Sequence, residues 1–420
     1  MEYRARYAES TLNRLAANFK IVLVTGARQV GKTTLLRHAY PGLRHLVLDP
    51  FQDLYGAKAD PDLLLDNFPA PLIFDEIQFA PELLAALKRR VDRSKEKGRY
   101  FLTGSQNLAV LRSVGESLAG RVGILNLEGM TLDEMLGHGN RGGWLGHYLD
   151  DPESILQSFA GTLPNVGGLA RQLWRGSLPG LLDIADEAVP DYLRSYVETY
   201  IERDVRTAGD IRELAVFSRF LGLAAALTAQ EINSSQFGRE LGVKPDTARR
   251  WTDLLTATFQ WRELLPYHGN AIKRLSGKSK GLFCDTGLAC FLQRVSSPES
   301  LIVNPLLGGM FETWAVNALL RQVISLPVPP QAYHWRTSGG AEVDLVLEWD
   351  GKLYPIEVKC KTTVARHDTR GLRAFRETYS SRQVMPGLII YAGGECCRVD
   401  ESTIALPWNA DIRVARQRRT

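Results

Sequence analysis

Residues 26 to 33 read Gly-Ala-Arg-Gln-Val-Gly-Lys-Thr, which fits the phosphate-binding loop G-x-x-x-x-G-K-[ST] without a mismatch. The short β-branched run Lys20–Thr25 precedes it and a helical opening, Thr33–Arg37, follows it. Such a loop works between a buried parallel strand and a helix N-terminus, so an α/β doubly wound sheet is predicted around it. Gly26 and Gly31 let the backbone bend until successive N–H groups face phosphate oxygens. Lys32 would reach the β and γ phosphates, the Thr33 hydroxyl would ligate Mg²⁺, and Thr34 completes the nucleotide-binding set. ATP and Mg²⁺ are the expected cofactors.

Further strands follow at Leu46–Asp49, at Pro71–Glu76 and at Arg99–Thr103. The second of these ends in two acids, a Walker B pattern. Asp75 would hold the Mg²⁺ shell, and Glu76 would orient or deprotonate the attacking water. The last strand ends in Ser105, Gln106 and Asn107. Two readings stand for this polar tip: a γ-phosphate sensor, or a cap on the next helix.

The chain has 420 residues, too many for one typical core, and several modules are expected. A net charge of +4 neither demands nor excludes a nucleic-acid partner. Cys284, Cys290, Cys360, Cys396 and Cys397 lack paired C-x-x-C spacing, which argues against zinc and fits a reduced, cytoplasmic setting. No stretch approaches the roughly 18 apolar residues of a membrane span, and Met1–Arg6 has no apolar signal region. A soluble protein with no membrane partner is expected.

The segments Gly-Ala-Arg-Gln-Val-Gly-Lys-Thr-Thr, Phe-Asp-Glu-Ile-Gln, Leu-Thr-Gly-Ser-Gln and Ser-Leu-Ala-Gly-Arg-Val together resemble the AAA-type ATPases (AAA_14) of bacteria and archaea with a C-terminal DUF4143 domain. Later landmarks are similar too: Tyr192–Tyr196 with Ile201–Val205, Cys284–Leu288, and Glu357-Val358-Lys359. The resemblance therefore covers nearly the whole chain. It implies Arg121 and Arg203 as arginines to consider for a γ-phosphate contact, in cis or from a neighbouring subunit; each has surface ion pairing as its alternative. It also suggests a homo-oligomer, without fixing the number.

Residues 128 to 180 are glycine-rich and broken, which marks a boundary or irregular lid. Apolar residues three and four apart from Asp191 to Thr228 predict a helical bundle. Ser235–Val243 followed by Lys244–Trp251 reads helix, glycine turn, helix. In a DNA-binding reading Arg249 and Arg250 lie on the recognition helix, with Lys244 and Thr247 near the bases. In the other reading the module only positions the two ends of the chain. The basic stretch Lys273–Lys280 is either a phosphate contact or a solvated loop.

Near the C-terminus Asp350-Gly351 separates two β-rich runs, a hairpin signal that sets Asp344 directly opposite Glu357. Two carboxylates about 5 Å apart at Cβ repel unless a cation bridges them, so the pattern asks for Mg²⁺ or Mn²⁺. Lys359 returns to the same face. Asp344 with Glu357-x-Lys359 looks like the PD-(D/E)xK nuclease core, and Glu312 matches the extra acid such folds bring from their first helix. In that likeness the acids bind metal and the lysine orients water or stabilises charge. Val343 departs from the motif, which opens with proline.

Four modules are expected: an ATPase core at 1–140, a helical lid at 141–215, a winged helix-turn-helix at 216–295 and a nuclease-like domain of restriction-endonuclease type at 296–420. Two functions fit them. One is an ATP-dependent DNA-processing protein coupled to Mg²⁺-dependent cleavage. The other is a nucleotide-gated ATPase scaffold with a silent nuclease fold.

Overall fold

The computed structural model describes residues 2–104, 118–165, 167–200 and 213–413. Five parallel strands open it: β1 (Ile21–Thr25), β2 (Arg44–Val47), β3 (Leu72–Asp75), β4 (Tyr100–Gly104) and β5 (Val122–Asn126), in the order β2-β3-β4-β1-β5. β1, β3 and β4 are buried along their length, as continuous apolar runs in a two-sided sheet must be. Alternation sends Ile21, Leu23, Phe74 and Leu102 to one face, under the helices Pro61–Asn67 and Leu83–Asp92. Val22, Val24, Ile73 and Phe101 face the other way, into a core shared with the rest of the chain.

A two-stranded patch, β6 (Phe159–Thr162), lies among the short helices after the sheet. Next come the helix Leu214–Ala226, β7 (Gln230–Glu231), the helices Ser234–Leu241 and Pro245–Ala257, β8 (Trp261–Pro266) and β9 (Lys280–Phe283). Gly242 ends the first of that helix pair in the left-handed conformation, and Pro245 opens the second. Phe217 and Phe220 pack in tilted and edge-on contacts against Phe237 and Trp251 of the pair.

The last module contributes the helix Leu307–Gln322 and the strands β10 (Gln331–Arg336), β11 (Glu342–Trp349), β12 (Lys352–Lys359), β13 (Gln383–Val384), β14 (Gly387–Tyr391), β15 (Cys397–Asp400), β16 (Thr403–Pro407) and β17 (Ala410–Ile412). β11 and β12 pair through Leu345↔Ile356 and Trp349↔Lys352, the register expected from the Asp350-Gly351 turn. Both turn residues have positive φ, 48° and 74°, as a type I′ hairpin requires. The sheet does not stop at the boundary expected near residue 296. β10 pairs with β8, so β7, β8 and β9 extend it into a ten-stranded sheet. β17 returns to pair with β6, and the Tyr354 hydroxyl donates to Leu149 O at 2.6 Å. The C-terminal module is thereby tied to the segment after the ATPase sheet.

Gly281 sits under the indole of Trp261, where a Cβ would meet Cζ2 at 1.9 Å. We expect Gly281→Ala to force the β8–β9 pair apart and cost about 1–3 kcal/mol, read as a lower midpoint in chemical denaturation.

Candidate functional site

The phosphate loop closes β1 and starts the helix Lys32–Ala39. Gly31 caps that helix with φ 93°, and Gly26 has φ 147°. A Cβ on Gly26 would lie 2.0 Å from Leu127 O, so only glycine lets the loop cross the end of β5. Lys32 is buried and donates to Gly26 O at 3.0 Å and Ala27 O at 2.7 Å, holding its ammonium across the loop. Thr34 is exposed on the helix's first turn.

The Thr33 hydroxyl meets the Asp75 carboxylate at 2.8 and 3.0 Å, so loop and Walker B strand converge. The Thr103 hydroxyl also donates to Asp75 and accepts the Glu76 N–H at 3.0 Å. His45 Nε2 stands 3.4 Å from the same carboxylate, and burial lowers the imidazole's pKa despite Asp75. A hydroxyl and a carboxylate are hard oxygen donors of the kind Mg²⁺ takes, so Thr33 and Asp75 fit that ion. Glu76 adopts a left-handed backbone, φ 61° and ψ 51°, uncommon for a non-glycine residue. Its side chain accepts from Gln78 Nε2.

Sequence reading missed three contributors. Thr103 was hidden in an apolar strand and His45 in a short edge strand. Arg6 was one charge in a basic N-terminal stretch, yet it is 5% exposed and braces the loop. Its guanidinium donates to Val30 O at 2.9 Å, Glu128 O at 2.7 Å and Glu134 Oε1 at 3.1 Å. Behind the loop a cavity of about 790 Å³ is walled by Ala27 and Val30 on one side and by Gln260, Trp261 and Arg262 on the other.

Arg121 does not join this site. It precedes β5 at the edge of the sheet opposite the loop and is ion-paired with Asp92 at 2.5 Å. A γ-phosphate contact in cis is thus corrected to the surface-pair reading. Ser105, Gln106 and Arg203 lie outside the described residues.

In the second helix of the middle pair Lys244, Arg249 and Arg250 are exposed and Thr247 is half-buried. Lys244 is the N-cap of that helix, and Arg249 and Arg250 follow in its second turn. The basic stretch after it is no loop: Lys280 is buried in β9, and Arg274 lies over the Tyr267 and Tyr333 rings, paired with Glu348 at 2.8 Å.

Asp344, Glu357, Glu312 and Lys359 do come together. Asp344 and Glu357 are each 3% exposed. Lys280 Nζ contacts Glu312 Oε1 at 2.5 Å and Asp344 Oδ1 at 3.1 Å. Asp344 Oδ2 accepts the Val358 N–H at 2.9 Å, and Lys359 Nζ reaches Glu357 Oε1 at 2.5 Å. Burial, then the Asp344 charge, pushes the Glu312 carboxyl up to about 8 and that of Glu357 well above its usual range. Burial opposes ionisation of Asp344 as well, but Lys280 and the Val358 N–H outweigh it and hold that carboxyl low. Ammonium groups of the chain itself thus lie against these carboxylates, Lys280 between Asp344 and Glu312 and Lys359 beside Glu357. Among the described residues no group of three or more His, Cys, Asp or Glu is placed to hold a metal ion. Nearby, Asp368 is buried and bound by Lys361 and the Ala365 N–H.

Residues 18–136 match the family model described as AAA domain, residues 167–299 a domain of unknown function (DUF8612), and residues 307–410 a domain of unknown function (DUF4143). Two relatives described as uncharacterized proteins, of Mycobacterium bovis and Mycobacterium tuberculosis, are each 29% identical over 405 residues, 96% of this chain and 83% of theirs. Among solved structures, a Walker-type ATPase of Pyrococcus abyssi is 16% identical and aligns over 70% of this chain and 99% of its own, with a TM-score of 0.43. A RuvB mutant of Thermotoga maritima is 17% identical over 65% of this chain and 95% of its own, with a TM-score of 0.31. Strand order and loop geometry, not these likenesses, carry the fold. No described helix is long and apolar enough to cross a membrane.

Arg6 and Glu134 are both buried, so Arg6→Ala should cost about 3–5 kcal/mol by leaving the carboxylate unpaired. Thermal unfolding is expected to fall accordingly, and adding Glu134→Gln should recover part of the loss.

Proposed function

We propose, from the premise that this chain is a P-loop ATPase of AAA type carrying a DUF4143 domain, that it hydrolyses ATP and uses the cycle to change how its middle module grips nucleic acid, DNA being favoured. The observation that carries the ATPase half is the convergence of Thr33, Thr103 and the Glu76 N–H on the Asp75 corner, directly beside the loop. An anion at the loop would meet the N-terminus of the helix Lys32–Ala39 and the Lys32 ammonium, which would exchange the Gly26 and Ala27 carbonyls for phosphate oxygens. Bound Mg²⁺, held by Thr33 and Asp75, would supply charge neutralisation between the β and γ phosphates. Glu76 stands one residue beyond Asp75, and its strained backbone turns its carboxylate away from the strand line; we assign it the water-orienting role. Thr103 ties the Asp75 carboxylate to the Glu76 backbone N–H, a positioning role.

The exposed set Lys244, Arg249 and Arg250 supports the nucleic-acid half, because three solvent-exposed cations in the first half of one helix are available to phosphates. The arrangement of helix, glycine turn, helix and following strands is consistent with a winged helix. The C-terminal module gives the second reading, Mg²⁺-dependent cleavage at Asp344, Glu357 and Lys359. What favours it is the buried Glu357 Oε2, which has no hydrogen-bond partner and lies beside Lys359. Lys280 weighs against it, and we place scaffolding ahead of cleavage.

Three outcomes test these assignments. Lys32→Ala should abolish ATP turnover, whereas Glu76→Gln should retain nucleotide binding and lower kcat by about 10²-fold or more; equal loss of binding in Glu76→Gln would remove its assigned role. Replacing Arg249 and Arg250 together by Ala should weaken binding to duplex DNA and flatten its dependence on salt by about two charges. An unchanged salt slope in a fluorescence anisotropy titration would exclude that helix as the contact.

A further inference from the structure

We infer that the acidic cluster of the C-terminal module is a metal-free ionic joint in which the Lys280 ammonium takes the place of a divalent cation. Lys280 comes from β9, within the segment matching DUF8612, whereas Glu312 and Asp344 belong to the segment matching DUF4143. One module thus supplies the cation and the other the anions.

The donor set shows why an ion of charge two is not accommodated. Asp344 has no free oxygen: Oδ1 faces Lys280 at 3.1 Å and Oδ2 holds the Val358 N–H at 2.9 Å. Glu312 Oε1 is taken by Lys280 and Glu357 Oε1 by Lys359, both at 2.5 Å. Glu312 Oε2 and Glu357 Oε2 are left, one on each of two different carboxylates, and the latter faces Gly371 at the start of the helix Arg370–Thr378, where a Cβ on Gly371 would lie 3.5 Å away. A hard cation fills part of its shell with water, but its protein ligands must be carboxylate oxygens that no ammonium already holds. With Lys280 beside Asp344 and Glu312, a second positive centre would stand next to the ammonium instead of between free carboxylates.

Nor is Lys280 free to swing out. Its backbone lies in β9, paired with Leu264 of β8 and Glu231 of β7, and β8 continues into β10 of the C-terminal sheet. The His334 ring, next to that seam, bonds to Lys278 O at 3.0 Å. The ammonium is 8% exposed, on a strand fixed on both sides. Withdrawing it would leave buried carboxylates unpaired, a costly state. The cluster therefore fastens β9 to the helix Leu307–Gln322 and to β11, and needs no metal to do so.

The experiment is Mn²⁺ binding to the full chain without nucleotide, counted from the electron paramagnetic resonance signal of free Mn²⁺, with thermal unfolding measured in parallel. Wild type and Asp344→Asn should bind the same number of Mn²⁺ ions, and Mn²⁺ should not raise the wild-type midpoint beyond its effect on Asp344→Asn. Lys280→Ala should unfold at a lower temperature, gain about one bound Mn²⁺ and recover stability on adding it; Lys280→Ala combined with Asp344→Asn should lose that ion. Binding by the wild type that disappears in Asp344→Asn would overturn the inference. So would a folded Lys280→Ala protein, judged by circular dichroism, that takes up no additional ion. If Lys280→Ala does not fold, the comparison of wild type with Asp344→Asn still decides, and none of these readouts depends on ATP turnover.

Discussion

One short segment, Leu127–Met130, is gripped by an arginine from each of three modules, and the placement of everything around the phosphate loop depends on it. Leu127 N donates to Thr25 O at 2.7 Å, which carries the segment directly under Gly26. Arg6, at the start of the chain, donates to Glu128 O and to Val30 O in the loop above. Arg262 of β8 pairs with Glu128 Oε1, and Arg321 of the helix Leu307–Gln322 approaches Oε2 at 3.8 Å while donating to Met130 O. A backbone that would otherwise end at a sheet edge becomes the meeting point of the molecule. The carboxylate is shared between two guanidinium groups, and carbonyl partners of Arg6 and Arg321 help to offset their desolvation.

That junction explains why one apolar core runs through all three modules. Val22 and Val24 of the ATPase sheet join the same cluster as Trp251, Trp261, Trp314 and Tyr354. The middle module faces the back of the loop across the cavity bounded by Ala27, Val30 and Trp261. A gap at that place has a mechanical meaning, because close-packed walls would transmit any loop displacement immediately. Here a displacement acts first on the ion pairs at Glu128, whose energy depends on distance and not on filled volume.

Local chemistry made part of this legible in the sequence. The phosphate loop, the Asp75-Glu76 strand end and the Asp350-Gly351 hairpin each depend on residues close together in the chain, and the register that faces Asp344 toward Glu357 followed from turn type alone. The helix pair around Gly242 was legible for the same reason. Lys280 was not, because its partners are 32 and 64 residues away and its neighbours Lys273 and Lys278 give it the look of a solvated charge run. Arg6 was hidden likewise, with Glu134 a further 128 residues on. Sequence pattern identifies where a cation is needed, but a lysine from another module satisfies that need without leaving a local signal. Thr103 illustrates a related gap, since a hydroxyl in a buried strand reads as a β-branched core residue until its partner Asp75 is seen.

The two ionic joints differ in a way that separates rigid from adjustable regions. Buried ion pairs are weak sources of net stability, and what they specify is arrangement. At Lys280 the cation and each carboxylate have alternatives only at the cost of leaving a charge buried and alone, so β9 and β11 keep one register. At Glu128 a single carboxylate, 30% exposed, pairs closely with Arg262 and only loosely, at 3.8 Å, with Arg321, whose guanidinium also donates to Met130 O and Cys284 O. Its exposed edge keeps the desolvation penalty low, so this joint is the more adjustable of the two. A displacement of the segment under the phosphate loop would act on the Glu128 pairs before it reached the Lys280 cluster. The middle and C-terminal modules, locked together at Lys280, would follow as one body.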